Sequence, residues 1–208
     1  LTGKKRFPNF SLPWAEKRIK DIGLLNTSSV DKKVKEGEKP VRLVNYMDVY
    51  TSFEKIISND LQLMMVSANE NQLIKNQVNI GDVLFTPSSE TPDDIGHSAV
   101  ITETMPSTLH SYHLLRLSFH EKIDLNFKRY LFNNPIVLQH FTTRAKGVTR
   151  FTLSLNDLYD TIVKLPPLDE QKAIARLLSE MDDRIIANRQ IIELAKSVKK
   201  SLIAKIFE

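Results

Sequence analysis

The sequence predicts an α+β protein: a mixed, strand-rich body over residues 1–167 and one long helix over residues 168–208. Three observations predict it. Short runs of β-branched and aromatic residues recur through the body, punctuated by Gly, Pro, Asn, Asp and Ser. Two consecutive prolines, Pro166 and Pro167, then close the strand-like pattern. From Ala173 to Phe207 neither Gly nor Pro occurs, and apolar residues return at helical spacing.

A chain of 208 residues with 41% hydrophobic content holds one good-sized domain plus an appendage. The absence of Cys excludes disulfides and thiolate metal sites and fits a reducing compartment, so a cytoplasmic location is expected. No apolar run approaches the ~18 residues that a membrane span needs. The opening "LTGKKRFPNF" has no apolar signal-peptide core and no initial Met, so a gene start further upstream is expected.

The elements follow in order, with no internal repeat. "DKKVKEGEKP" (31–40) is a solvated loop or hairpin tip. "VRLVNYMDVY" (41–50) reads as a strand through its β-branched and aromatic content. "GDVLFT" (81–86) starts at a Gly turn and is a short buried strand, and "HSAVIT" (97–102) is another. "PSSETPDDIG" (87–96) connects them as a polar loop. "HSYHLLRLSF" (110–119) alternates, with Leu115, Leu117 and Phe119 on one face and Tyr112, Leu114 and Arg116 on the other. "DLNFKRYLFNN" (124–134) has helical spacing and ends before Pro135. "TRAKGVTR" (143–150) is a basic loop, and "FTLSL" and "YDTIVKLP" close the body as strands.

Asp169 is the expected N-cap of the final helix, with Glu170 in the first turn where the helix dipole favours negative charge. At ~1.5 Å per residue the Gly- and Pro-free stretch makes a rod of about 50 Å. Its pairing stripe runs through Leu178, Met181, Ile185, Asn188, Ile192, Ala195, Lys199, Leu202 and Ile206. A second stripe through Ile174, Leu177, Ile191 and Val198 shares Met181, Asn188, Ala195 and Leu202 with it, which widens the apolar face beyond a two-stranded seam. Such a face must be covered by the body, by a second helix or by a partner. The two prolines favour a helical partner outside the body.

Net charge is +4, unevenly spread. Residues 1–20 carry six Lys/Arg against Glu16, a local +5. Residues 104–151 carry seven against Glu121 and Asp124, again +5, while residues 48–103 sum to −7. Such polarity suits a basic face for nucleic acid, and equally suits ordinary surface charge that mixes on folding.

Chemistry is harder to find. A base-flipping adenine methyltransferase needs an Asn-Pro-Pro-aromatic type of motif, which neither "NNPI" (133–136) nor "LPPL" (165–168) supplies. There is no G-x-G-x-x-G and no P-loop. Pro92-Asp93 with Glu170 and Lys172 matches a metal nuclease in letters only, since a helix first turn explains the latter pair better. His110 and His113, three apart in an expected strand, face opposite ways and do not share a metal. No catalytic residue, metal site or resident cofactor is expected. What remains is binding. The basic loop offers Arg144, Lys146, Thr149 and Arg150 around Gly147, whose missing side chain permits close backbone approach. The polar loop offers Thr86, Ser88, Ser89, Glu90 and His97 as donors and acceptors for base edges. Either stretch alone also reads as a solvated loop.

"LPPLDEQKAIARLLSEMDDRI" closely resembles the entry to the conserved helix of specificity subunits of type I restriction-modification systems. "RFPNFSLPW", "GDVLFTPSSETPDDIGHSAV" and "KGVTRFTLSLNDLYDTIVKLPPL" are similar to that family's other blocks, in the same order. The resemblance implies a non-catalytic, DNA-reading chain: residues 1–167 as a target recognition domain reading one half of a bipartite double-stranded target, and residues 168–208 as a spacer helix. It further implies docking to methyltransferase subunits, which carry S-adenosylmethionine, with a restriction and translocase subunit joining them. The family commonly has two recognition domains and two helical regions; one of each is visible here. A half-length subunit that forms a homodimer, a split-gene product and a fragment all stay open. A protein-interaction adaptor that oligomerises through its helix is the alternative from another class.

Overall fold

The fold is α+β. The computed structural model describes Gly3 and residues 5–207, with only the backbone of Phe207; Lys4 of the N-terminal basic run lies outside the described residues. In chain order the strands are β1 (Ala15–Arg18), β2 (Gly23–Thr27), β3 (Lys39–Val44), β4 (Ile56–Ile57), β5 (Met64–Ala68), β6 (Val83–Phe85), β7 (Ser88–Ser89), β8 (Ser98–Ile101), β9 (Thr108–His110), β10 (Leu115–Phe119), β11 (Lys146–Gly147), β12 (Phe151–Thr152) and β13 (Ile162–Leu165). The helices are α1 (Tyr46–Tyr50), α2 (Glu70–Asn76), α3 (Phe127–Leu131), α4 (Pro135–Arg144), α5 (Leu155–Tyr159) and α6 (Leu168–Phe207). The chain divides into two compact units between Lys172 and Ala173.

The first unit is built on a five-stranded sheet ordered β2-β10-β6-β8-β4, antiparallel except for the β4–β8 pair. Its central strand β6 is buried on both faces, which is why "VLF" is an unbroken apolar run. Leu84 faces a core with Val44, Val49, Ile57, Val78, Ala99, Ile101, Met105 and Leu114. Phe85 faces the other way and meets Phe132 and Phe141 edge-on, with ring centroids 5.1 and 6.3 Å away. A second sheet, β5-β3-β9, closes over Val30, Val41, Leu43, Val66, Ala68 and Leu109. Full burial of each such side chain contributes about 1.5–3 kcal/mol. Two small sheets complete the unit: β1 with β13, and β11-β12-β7.

Several sequence expectations need correction, among them the strand expected at "FTLSL", which stops at Thr152 before Ser154 caps α5. The run 41–50 is not one strand: β3 stops at Val44, and Asn45 caps α1. The Asn45 side chain accepts from the Tyr46 N–H, and the Asp48 carboxylate accepts from the Asn45 N–H at 2.7 Å, a capping box that outcompetes β-propensity. The run 110–119 is broken by a turn closed by the Leu114 N–H on the Ser111 carbonyl, so His110 ends β9 and is buried while His113 lies in the turn. The helix expected at 124–134 is shorter, since α3 ends at Leu131, and Pro135 opens α4 at its first position, with the Asn134 side chain accepting from the N–H groups of Ile136 and Val137.

The start of α6 belongs to the first unit. Asp169 lies inside the first turn, since the helix begins at Leu168. Glu170 is wholly buried and takes a two-pronged bond from Arg6, at 2.8 and 2.6 Å, and another from Trp14 Nε1 at 3.0 Å. Gln171 donates to the Pro166 carbonyl and accepts from the Asp124 N–H. The Glu-Gln pair therefore works as a latch between the N-terminal strap and the helix entry, where the sequence suggests only a dipole effect.

The second unit is the remainder of α6. Leu177, Met181, Ile185, Ile191, Ile192, Leu194, Val198, Leu202, Ile203 and Ile206 are all exposed along it.

Candidate nucleic-acid interface

The two candidate binding segments of the sequence meet in one small sheet. β7 pairs antiparallel with β12, Phe151 opposite Ser89 and Thr152 opposite Ser88; β12 in turn pairs with β11, Lys146 opposite Thr152 and Gly147 opposite Phe151. The basic loop is thus the tip of a hairpin whose second strand is stitched to the polar loop. Arg150 adds a side-chain bond, donating to Ser88 Oγ at 3.2 Å.

The hairpin tip is open to solvent. Lys146, Gly147, Val148, Thr149 and Arg150 are exposed, and the Lys146 ammonium lies 4.0 Å from the Asp157 carboxylate. Arg144 is half-buried in the last turn of α4, where its charge also suits the helix dipole. Gly147 has φ +154°, and a Cβ there would meet the Arg150 carbonyl oxygen at 2.0 Å. The close approach that Gly147 permits is therefore to its own hairpin. That corrects the expectation that the space serves a ligand.

The polar loop is less uniform than its sequence suggests. Thr86 is removed from the interface, because it is fully buried and both of its backbone groups close the loop base, onto the His97 carbonyl and the Gly96 N–H. Gly96, at φ +80°, leaves no room for a Cβ against the Phe141 ring 2.3 Å away, and so seats the loop on α4. Ser89 is buried, Ser88 and His97 are half-buried, and Glu90 is exposed.

Beside this sheet lies a cleft of about 240 Å³ lined by Tyr46, Tyr50, Ser89, Glu90, Asp94 and Arg150. The Tyr46 and Tyr50 rings stack at 5.6 Å, as residues four apart on α1 should. Both hydroxyls are tied down: Tyr46 donates to the Ser88 carbonyl at 2.9 Å and Tyr50 to Asp94 Oδ2 at 2.7 Å. Asp94 Oδ1 also meets His97 Nε2 at 2.7 Å, and the His97 ring stands edge-on to Tyr50. Burial pushes the Asp94 carboxyl up, but the bonds from Tyr50 and His97 outweigh this and hold it below the usual carboxylate range. Burial raises the Tyr46 phenol, and the bond to Asp94 raises that of Tyr50, so both stay protonated donors. Sequence reasoning missed Tyr46, Tyr50 and Asp94 as site residues. The signal was present in Asn45-x-x-Asp48, which converts the tyrosines from strand residues into one helix face.

The remaining basic residues are largely spent on structure. Lys17 pairs with Glu121, Arg18 and Lys20 with Asp160, and Arg6 with Glu170. Within residues 104–151, Arg116 pairs with Asp82, Lys128 donates to the Gly81 carbonyl under the Phe119 ring, and Arg129 donates to the Glu54 carbonyl. Among the described residues, no group of three or more His, Cys, Asp or Glu could hold a metal ion, and no helix is long and apolar enough to cross a membrane.

On the helical arm, Met181, Ile185, Asn188, Ile192, Ala195, Leu202 and Ile206 are exposed and Leu178 is half-buried. The pairing stripe is therefore available along most of its length.

The strand-rich unit thus carries an exposed basic hairpin beside a polar cleft, and the helical unit carries an exposed apolar stripe. The chain belongs to the type I restriction modification DNA specificity domain family, whose profile matches residues 12–196. It is 30% identical over 142 residues to a sequence assigned as the specificity subunit of the type I restriction enzyme MjaX of Methanocaldococcus jannaschii, covering 66% of this chain and 33% of the relative. It is 24% identical over 178 residues to the MjaVIII specificity subunit of the same organism, covering 83% and 36%. The chain thus spans about a third of the length of these curated relatives. The fold is shared with the type I restriction-modification S subunit of M. genitalium, at TM-score 0.56 and 15% identity, over 91% of this chain and 44% of that one.

Proposed function

We propose that this chain is the DNA-recognition part of a type I restriction-modification specificity subunit. Its strand-rich unit reads one half of a bipartite duplex target, and its helical arm pairs with another helix and docks methyltransferase subunits. Methylation, with S-adenosylmethionine, and cleavage belong to the partner methyltransferase and restriction subunits; the relatives are named specificity subunits, which supports a non-catalytic role. The observation that carries the reading is the joining of the polar loop to the basic hairpin through β7 and β12, which leaves Lys146, Thr149 and Arg150 exposed beside a polar cleft. Side chains of this kind position phosphates and reach base edges.

The arm is tested by charge. Met181→Glu with Ile192→Glu places carboxylates in the exposed stripe, where neither side chain supports the body core. The expected result is loss of co-purification with the methyltransferase subunit, and of any homodimer in sedimentation, with the thermal transition of the strand-rich unit retained. Association that survives both substitutions removes the arm as the dock.

A further inference from the structure

Of the three charged residues lining the cleft beside the hairpin, Glu90 and Arg150 form no ion pair with each other. Glu90 is exposed and makes no hydrogen bond or ion pair among the described residues. Arg150 uses one nitrogen on Ser88 Oγ and has no ion pair there either, so most of its five N–H donors remain open. Asp94, by contrast, is occupied by Tyr50 and His97. The cleft thus offers one free carboxylate and one free guanidinium over a fixed aromatic floor.

That pairing selects among ligands. A carboxylate repels phosphate, so the cleft disfavours the nucleic-acid backbone that Lys146 attracts. It accepts from an exocyclic amine, while a guanidinium forks onto two acceptors. In a major groove, cytosine presents the amine at N4 and its guanine partner presents the acceptors O6 and N7. The stacked tyrosines, with both hydroxyls tied, hold the wall of the cleft in one geometry and lower the ordering cost of recognition. We propose that this cleft is a base-reading notch in which Glu90 and Arg150 together recognise one C·G base pair. This rests on the DNA-recognition reading above.

The test is selection from a randomised duplex library by the full chain assembled with its methyltransferase subunits. It is run on the parent and on Glu90→Gln, Arg150→Ala and Arg150→Lys, with Glu36→Gln in the exposed 31–38 loop as a control. The parent is expected to fix C·G at a position where Glu90→Gln and Arg150→Ala each reduce discrimination by about tenfold, with the other positions unchanged. Arg150→Lys is expected to lose the guanine preference as well, since it keeps the charge but not the fork. Intact discrimination in these variants, a loss spread evenly over all positions, or effects at two different base pairs overturns the notch. A parent that binds duplex with no preferred position also overturns it while leaving DNA binding in place. A parent that binds no duplex strikes down the DNA-recognition reading itself.

Discussion

Two stretches of this chain carry the same local charge, +5 over residues 1–20 and +5 over residues 104–151, and the fold uses them in opposite ways. Four of the six N-terminal cations are paired: Arg6 with Glu170, Lys17 with Glu121, and Arg18 and Lys20 with Asp160. The later stretch splits in two. Arg116, Lys128 and Arg129 turn inward onto carbonyls, an acid and a ring, while Lys146 and Arg150 stay on the surface of a hairpin bonded to the polar loop. Equal charge in sequence therefore becomes a structural strap in one place and a candidate interface in the other. The difference lies in whether acids from distant parts of the chain reach the cation first.

The comparison can be broken most forcefully at the strap. Glu170→Ala strands the Arg6 guanidinium and the Trp14 N–H, and is expected to lower the melting temperature by about 5–10 °C; a shift within 1–2 °C would show that the latch is not structural. Acid probes the interior next. Burial lowers His110 to about 4 from 6.5. The unfolded chain takes up the proton first, so this contribution is whole above pH 6.5 and is lost as pH falls towards 4, by up to about 3 kcal/mol. Urea midpoints measured at pH 7 and pH 4.5 should separate accordingly, and the separation should shrink in a His110→Asn variant. On the hairpin, Gly147→Ala forces a Cβ against the Arg150 carbonyl and is expected to cost about 1–3 kcal/mol while displacing Arg150; DNA affinity should fall with it in filter-binding assays. Smallest of all, Lys17→Ala with Lys20→Ala removes one part-buried and one exposed pair, each worth roughly 0–1 kcal/mol, and calorimetry should record almost no change.

Much of this fold was legible in the sequence. The runs at 83–85 and 98–101 and the long final helix announced themselves through periodicity and through Gly and Pro punctuation. The polar and basic loops were legible as candidates because their residue types are those that bind bases and phosphates. Their union was not, since Arg150 and Ser88 meet across 62 residues and no local pattern encodes that contact. The Tyr46–Tyr50 wall was hidden for a different reason: a five-residue run holding the β-formers Tyr46, Val49 and Tyr50 was turned into a helix by a single capping box. Glu170 was misread because its partner, Arg6, lies 164 residues away, and a buried fork looks in sequence like a helix-end charge. Thr86 illustrates the opposite error, a polar residue that suits binding by type but serves to close its own loop.

The central claim, that the hairpin and not the strap faces DNA, is tested most directly by salt dependence. Binding of duplex by the assembled complex is measured across a salt series for Arg144→Ala/Lys146→Ala/Arg150→Ala and, in parallel, for Lys17→Ala/Arg18→Ala/Lys20→Ala. The hairpin variant should bind more weakly, with a log–log salt slope shallower by about 1–2, since Arg150 reads a base and only Arg144 and Lys146 are left for phosphates, while the strap variant keeps the parent slope. Equal slopes in the hairpin variant and the parent, or a shallower slope in the strap variant alone, would contradict the account.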